Sequence, residues 1–181
     1  MSRMILGIAA LLLGVKIHAQ QNLVPNSGFE GNVQCPWLLS QISNAESWAN
    51  VGGPGTPDYF HRCGADLIAS PDTFPYVGVP ENIRGWQQPH SGDGYAGIFV
   101  YNGPQSIELR EYIQVRLMES LAVGVRYDVS FHICLADKFQ YAICSFGVFF
   151  SENHITTNSW SALDVEPQIQ SKPNITLDLS T

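Results

Sequence analysis

The sequence predicts an all-β fold, an antiparallel β-sandwich of the jelly-roll kind, and three observations carry that prediction. Alternating or β-branched and aromatic runs recur between Gly- and Pro-rich turn signals. The regular strand–helix alternation of a parallel sheet is missing. Charged residues make up only 14% of the chain and aromatics 11%, a composition that suits half-buried pleated surfaces.

Taken in order, the chain opens with MSRMILGIAALLLGVKIHAQQ, in which Arg3 precedes an apolar stretch from Met4 to Val15 and a small residue, Ala19. This is the layout of a secretory signal peptide over residues 1–19, with cleavage expected after Ala19. The apolar stretch is shorter than the roughly 20 residues a membrane-spanning helix needs, and no second such run follows. The expectation is an exported chain without a transmembrane helix, at the cell surface, associated with an outer membrane, or extracellular.

Residues 20–181 are about one domain's worth of chain. The net charge of −7 becomes two units more negative once Arg3 and Lys16 leave with the signal. The remaining basic residues (Arg62, Arg84, Arg110, Arg116, Arg126, Lys138 and Lys172) stand singly, which excludes the clustered cations that grip nucleic acid or anionic lipid.

A short strand is expected near Leu23–Val24. Between Gln34 and Gly94 the chain is dense in Pro, Gly, Asn and aromatics, with little periodicity. A stretch of that length in a compact domain is usually functional or cross-linked. Cross-linking is at hand, because four cysteines in an exported chain favour disulfides. Three pairings are open; Cys35–Cys63 and Cys134–Cys144 are preferred because each closes a modest loop. The histidines His61, His90, His132 and His154 are too scattered for a zinc site.

The stretch HSGDGYAGI, His90 to Ile98, contains a Gly-x-Gly-x-x-Gly pattern at Gly92, Gly94 and Gly97. A nucleotide loop of this type follows a strand and opens a helix. Here the order is reversed, and the glycines lead into a strand from Tyr95 to Tyr101. Further strands are expected over Ser106 to Val115, Val125 to Leu135 and Tyr141 to Ser151, with Tyr112 to Val123 open to a helical alternative. In Val125–Leu135 the residues Val125, Tyr127, Val129, Phe131, Ile133 and Leu135 share one side, expected to face the core. The run Tyr141–Ser151 is apolar on both sides and is expected to pair with it as a hairpin.

Two stretches resemble the galactose-binding-like jelly-roll modules found among carbohydrate-binding domains. These are Asn22-Leu-Val-Pro-Asn-Ser-Gly-Phe-Glu-Gly31 and Ser91-Gly-Asp-Gly-Tyr-Ala96. A wider series of blocks is similar to an N-terminal module of bacterial cell-surface proteins of the gliding-motility-associated or OmpA-family outer-membrane kind. That series comprises Cys35-Pro36, Trp48, Gly55–Phe60, Cys63, Val79-Pro80, Gly85 and Gln87, Arg110–Ile113, Leu135–Asp137 and Phe150-Ser151.

The resemblance implies a structural calcium on Glu30 and Asp93, the latter through its side chain or only its carbonyl. Calcium suits such a site because it takes hard oxygen ligands. It also implies closing strands after a segment like Val165–Ile169, so the expected domain lacks its last strand or strands and has further domains beyond Thr181.

A sugar-binding face needs flat rings and amides or acids beside them. The long loops contain Trp37, Trp48, Tyr59, Phe60, Phe74, Tyr76 and Trp86 among Asn50, Asp58, Asn82, Gln87 and Gln88. Trp48 and Phe60 are assigned to the core. Tyr59, Tyr76 and Trp86, with Gln87, are assigned to a ligand-binding surface. No catalytic constellation stands out: Glu108 and Glu111 diverge in a strand, Gly-x-Ser-x-Gly is absent, and Asp137 reads as a turn residue. The expected function is non-catalytic carbohydrate recognition or adhesion within a larger envelope protein. The alternatives are a structural spacer and, least favoured, an accessory domain of a secreted glycoside-active enzyme.

Overall fold

The computed structural model describes residues 21–53, 55–66, 76–101, 109–139, 145–159 and 162–171. The expected signal peptide lies outside these residues. Strand dominates. Among the described residues, eight short strands, β1 (Trp48–Asn50), β2 (Asp58–His61), β3 (Glu81–Asn82), β4 (Gly85–Trp86), β5 (Gly94–Gly97), β6 (Ile113–Val115), β7 (Gly147–Val148) and β8 (Ile169–Gln170), are joined by one 3-10 turn, Ile42–Asn44, and one short helix, α1 (Arg62–Asp66). They form four antiparallel pairs, β1–β6, β2–β5, β3–β4 and β7–β8. The all-β expectation holds in this form. No helix among the described residues is long and apolar enough to cross a membrane.

β2 organises the interior. Successive side chains of a strand point to opposite sides, so the neighbours Tyr59 and Phe60 enter different cores. Tyr59 packs with Ile42 and Ala45, backed by Phe29, Trp48, Ala96 and Ile113. Phe60 packs with Val77 and Val79, backed by Leu39 and Tyr95. β5 lies against β2 with Tyr59 opposite Ala96 and Phe60 opposite Tyr95. The Phe60 and Tyr95 rings stack at 5.2 Å.

Burial leaves a signature on both tyrosines. It pushes the Tyr59 phenol up to about 12, with the Glu30 charge adding to the effect, and it pushes Tyr95 up to about 12 as well. Both folded values exceed the ordinary 10.0. The stability these phenols contribute is therefore complete below pH 10 and lost as the pH rises toward 12. A spectrophotometric alkaline titration is expected to show two late-ionising tyrosines whose titration coincides with unfolding. A single early step in the folded protein would contradict their burial.

The long stretch before β5 is tied down as expected. Cys35 and Cys63 are bridged, with Cα atoms 5.6 Å apart. Glu111, buried at the entry to β6, is a second fastener: Oε1 accepts from the Thr56 N–H at 2.8 Å and from its hydroxyl, and Oε2 accepts from the Phe99 N–H at 2.8 Å.

Several expectations need correction. Leu23–Val24 is not a strand; Asn22 Oδ1 accepts from the Val24 N–H and bends the chain into a turn. The segment open to a helical alternative holds β6. Val125–Leu135 belongs to no sheet among the described residues. The side expected to be core is open instead, with Val125, Tyr127, Val129, Phe131 and Ile133 between 37% and 55% exposed. Of Tyr141–Ser151, residues 141–144 lie outside the described set; Gly147–Val148 pairs with Ile169–Gln170 rather than with the earlier run. Cys134 is a free, exposed thiol, and its expected partner Cys144 lies outside the described residues.

Candidate functional site

The hairpin β3–β4 runs from Glu81 to Trp86, with Glu81 opposite Trp86 and Asn82 opposite Gly85. An isolated two-stranded hairpin is marginal in water. This one is fastened at nearly every residue. The buried Asn82 donates from Nδ2 to the Gly78 carbonyl at 3.2 Å and to the Tyr95 phenol oxygen at 2.7 Å, while its Oδ1 accepts from the Arg84 N–H at 2.9 Å. The Arg84 carbonyl accepts from the Lys138 N–H, and the Pro80 carbonyl accepts from the Gln87 N–H at 2.7 Å.

Arg84 anchors the turn to the core. Its guanidinium donates to Asp58 Oδ2 through Nε at 3.3 Å and Nη2 at 3.1 Å. It also lies over the Phe99 ring at 4.7 Å and near the Phe139 ring at 5.6 Å, an arrangement that favours a cation. Asp58 is buried in β2, and its other oxygen accepts from the Ser40 N–H at 2.8 Å. Burial pushes its carboxyl above the ordinary 3.8, against the lowering effects of the Ser40 N–H and of Arg84.

Asp137 fastens the far end. Its Oδ2 accepts from the Trp86 N–H at 2.8 Å, across 51 residues. Gly85 makes this contact possible: its φ is +132°, and a Cβ there would sit 2.7 Å from the Asp137 Cβ. Asp137 is at a turn, as the sequence predicts, but its carboxylate holds the hairpin rather than its own backbone.

The outcome is a clamped backbone under an open ring. Trp86 is 57% exposed. Tyr76, also assigned to the surface, is 37% exposed, and its carbonyl meets the Ile83 N–H at the hairpin turn. Gln87 is half-buried beside Trp86, and its amide donates to the Gln88 carbonyl. Tyr59 is a correction. It is fully buried, and its hydroxyl donates to the Phe29 carbonyl at 2.8 Å, so it belongs to the core and not to a ligand surface. Phe74 lies outside the described residues. Trp48 and Phe60 are core-packed as assigned.

Glu30 and Asp93 come together. Both Glu30 oxygens accept from the Asp93 N–H, at 3.1 and 2.9 Å. The Asp93 carboxylate turns to the Arg62 Nε at 2.9 Å, and its carbonyl accepts from the Arg62 N–H. Gly92 allows the approach, with φ +68° and a missing Cβ that would overlap the Glu30 carboxylate. Calcium takes six to eight oxygens; here one carboxylate receives an N–H and the other faces a guanidinium. No group of three or more acidic, His or Cys side chains able to hold a metal gathers among the described residues. As they stand, the Glu30 carboxylate faces the Ser91–Asp93 loop while the Asp93 side chain is taken up by Arg62. Thermal unfolding in millimolar calcium and in EDTA checks the calcium reading: a midpoint several degrees higher with calcium would establish it, and equal midpoints would remove it.

The residues that build the site were the hardest to foresee. Arg84 and Asp58 are 26 positions apart, Trp86 and Asp137 are 51 apart, and no local motif joins either pair. No family model, curated protein or solved structure matches the chain.

Proposed function

We propose that this chain is an exported, non-catalytic module that recognises carbohydrate at a cell surface, and that the contact surface is the hairpin bearing Trp86. The observation that carries the reading is the pairing of an open tryptophan ring with a backbone held by Asn82, Arg84 and Asp137. A ring that is already positioned can stack on the apolar face of a pyranose without losing further freedom, which is where pre-organised sites gain affinity. Glu81 across the hairpin and Gln87 beside it supply polar groups for sugar hydroxyls.

The non-catalytic reading is supported by the acids that could pair with Glu81 being committed elsewhere: Asp58 to Arg84, Asp137 to Trp86 and Glu111 to Thr56 and Phe99. Export is supported by the signal-like start and by the Cys35–Cys63 bridge, which suits an oxidising compartment. The finer fold, a jelly-roll sandwich resembling those of envelope proteins, is part of the proposal; the antiparallel pairing of the described strands supports it.

Affinity electrophoresis of the mature protein through gels cast with plant, host and bacterial polysaccharides tests the function. Retention by at least one is expected, with Trp86→Ala weakening it by about tenfold or more, a loss of about 1.4 kcal/mol, while the thermal midpoint stays unchanged. No retention anywhere would leave the structural-spacer reading in its place.

A further inference from the structure

The strand register fixes what stands beside the open ring of Trp86. Glu81 is its direct partner across the hairpin. Directly opposed residues of an antiparallel pair share a face, with Cβ atoms about 4.5–5.5 Å apart. The neighbouring pair tells which face this is. Asn82 points inward and is 1% exposed, so Glu81 and Trp86 point outward, and both are exposed. The Glu81 carboxylate has no hydrogen-bond or ion-pair partner among the described residues. A lone surface carboxylate is ordinary; one held beside an open indole on a clamped backbone is a two-part receptor for a cation.

The charges around this pair leave a negative excess. Arg84, the cation of the hairpin turn, is committed to the buried Asp58 and lies over the Phe99 ring. The Asp137 carboxylate accepts the Trp86 N–H at 2.8 Å and adds a second negative charge to that of Glu81. Against these two acids stands Lys138, whose backbone N–H is held by the Arg84 carbonyl. The chain as a whole carries 16 acidic residues to 9 Lys and Arg, so the wider field has the same sign. The face of an indole attracts an ammonium more strongly than that of any other aromatic side chain. A carboxylate beside the ring adds an ion pair and repels an anionic ligand.

We infer that the sugar this hairpin takes bears a free ammonium group, as the unacetylated units of an amino-sugar polymer do. The apolar face of the pyranose lies on Trp86 and the ammonium reaches Glu81. The inference rests on the carbohydrate reading above and narrows it to cationic glycans, setting polyuronates and sulfated chains aside. Glu81 selects by charge, while Trp86 supplies a contact that any pyranose can share.

Isothermal titration of the mature protein in mildly acidic, low-salt buffer, where both an amine and a carboxylate are charged, tests this. The probes are a glucosamine oligomer, its fully N-acetylated counterpart, a galacturonate oligomer and an oligolysine. The glucosamine oligomer is expected to bind about fivefold or more tighter than the acetylated one, with the galacturonate oligomer weakest. Glu81→Gln should erase that preference while leaving the affinity for the acetylated oligomer and the thermal midpoint unchanged. Trp86→Ala should weaken both amino-sugar oligomers. Equal or tighter binding of the acetylated or galacturonate oligomer overturns the inference and leaves the carbohydrate reading standing, as does a preference that survives Glu81→Gln. No binding of any sugar removes both. Oligolysine bound as tightly as the glucosamine oligomer, with no loss in Trp86→Ala, would reduce the effect to bulk charge attraction and overturn the inference too.

Discussion

Asp58→Ala is expected to lower stability by about 3–4 kcal/mol and to abolish whatever the Trp86 hairpin binds. The carboxylate is the acceptor for both the Ser40 N–H and the Arg84 guanidinium. Removing the carboxyl leaves two donors without their acceptor, at about 1–3 kcal/mol each, and the Arg84 share falls toward the lower end because its side chain retains 25% exposure and can reach water. The hairpin turn then loses its tie to β2. Chemical denaturation measures the first effect and affinity electrophoresis the second. A variant with wild-type stability would show that the pair carries no weight.

Asp58 also predicts a pH dependence with a definite sign. Its folded carboxyl titrates above the ordinary 3.8 because burial penalises the charged form. The folded state therefore holds the proton more tightly than the unfolded chain, and the stability from this group is complete below about pH 3.8 and lost as the pH rises through the folded value. Relative to Asp58→Asn, wild type should lose ground as the pH climbs through that window. The opposite slope would mean that Arg84 outweighs burial.

Removing the Cys35–Cys63 bridge is the second large effect. The two residues are 28 apart, and closing a loop of that length restricts the unfolded chain by about 3–4 kcal/mol in the chain-entropy account. The loop encloses β1, β2 and the first core, so Cys35→Ser with Cys63→Ser should lower the unfolding free energy by that amount, and the denaturation midpoint with it, without altering the alkaline behaviour of Tyr95. The reduced wild-type protein should match the double variant. Equal midpoints for oxidised and reduced protein would contradict the bridge.

How legible all this was in the sequence depended on the range of the interaction. The first bridge was readable because export context and cysteine spacing are properties of the chain itself. The strand entry at Gly94–Gly97 was readable because glycine and aromatic residues act locally. β2 was not: it sits inside a stretch full of Pro and Gly, and Asp58 and His61 flank its two aromatics with polar groups that only the fold buries. That is also why Tyr59 was assigned to the surface. In Val125–Leu135 the alternation correctly reports which side chains share a side, but alternation cannot say what covers them. Trp86 and Tyr76 were assigned to exposure, and they are exposed. The residues that make Trp86 useful, Asn82, Arg84, Asp58 and Asp137, meet only through pairings dozens of residues apart.

The measurement closest to the central claim is the indole N–H region of the NMR spectrum as the mature protein is titrated with an oligosaccharide from a polysaccharide that retains it. Trp48 donates its indole N–H to the Asn26 carbonyl at 2.9 Å inside the fold and should hold its position. The Trp86 signal, assigned by its loss in Trp86→Ala, should shift progressively with the sugar. A saturating titration in which Trp86 stays fixed, or in which only Trp37 moves, would contradict the account.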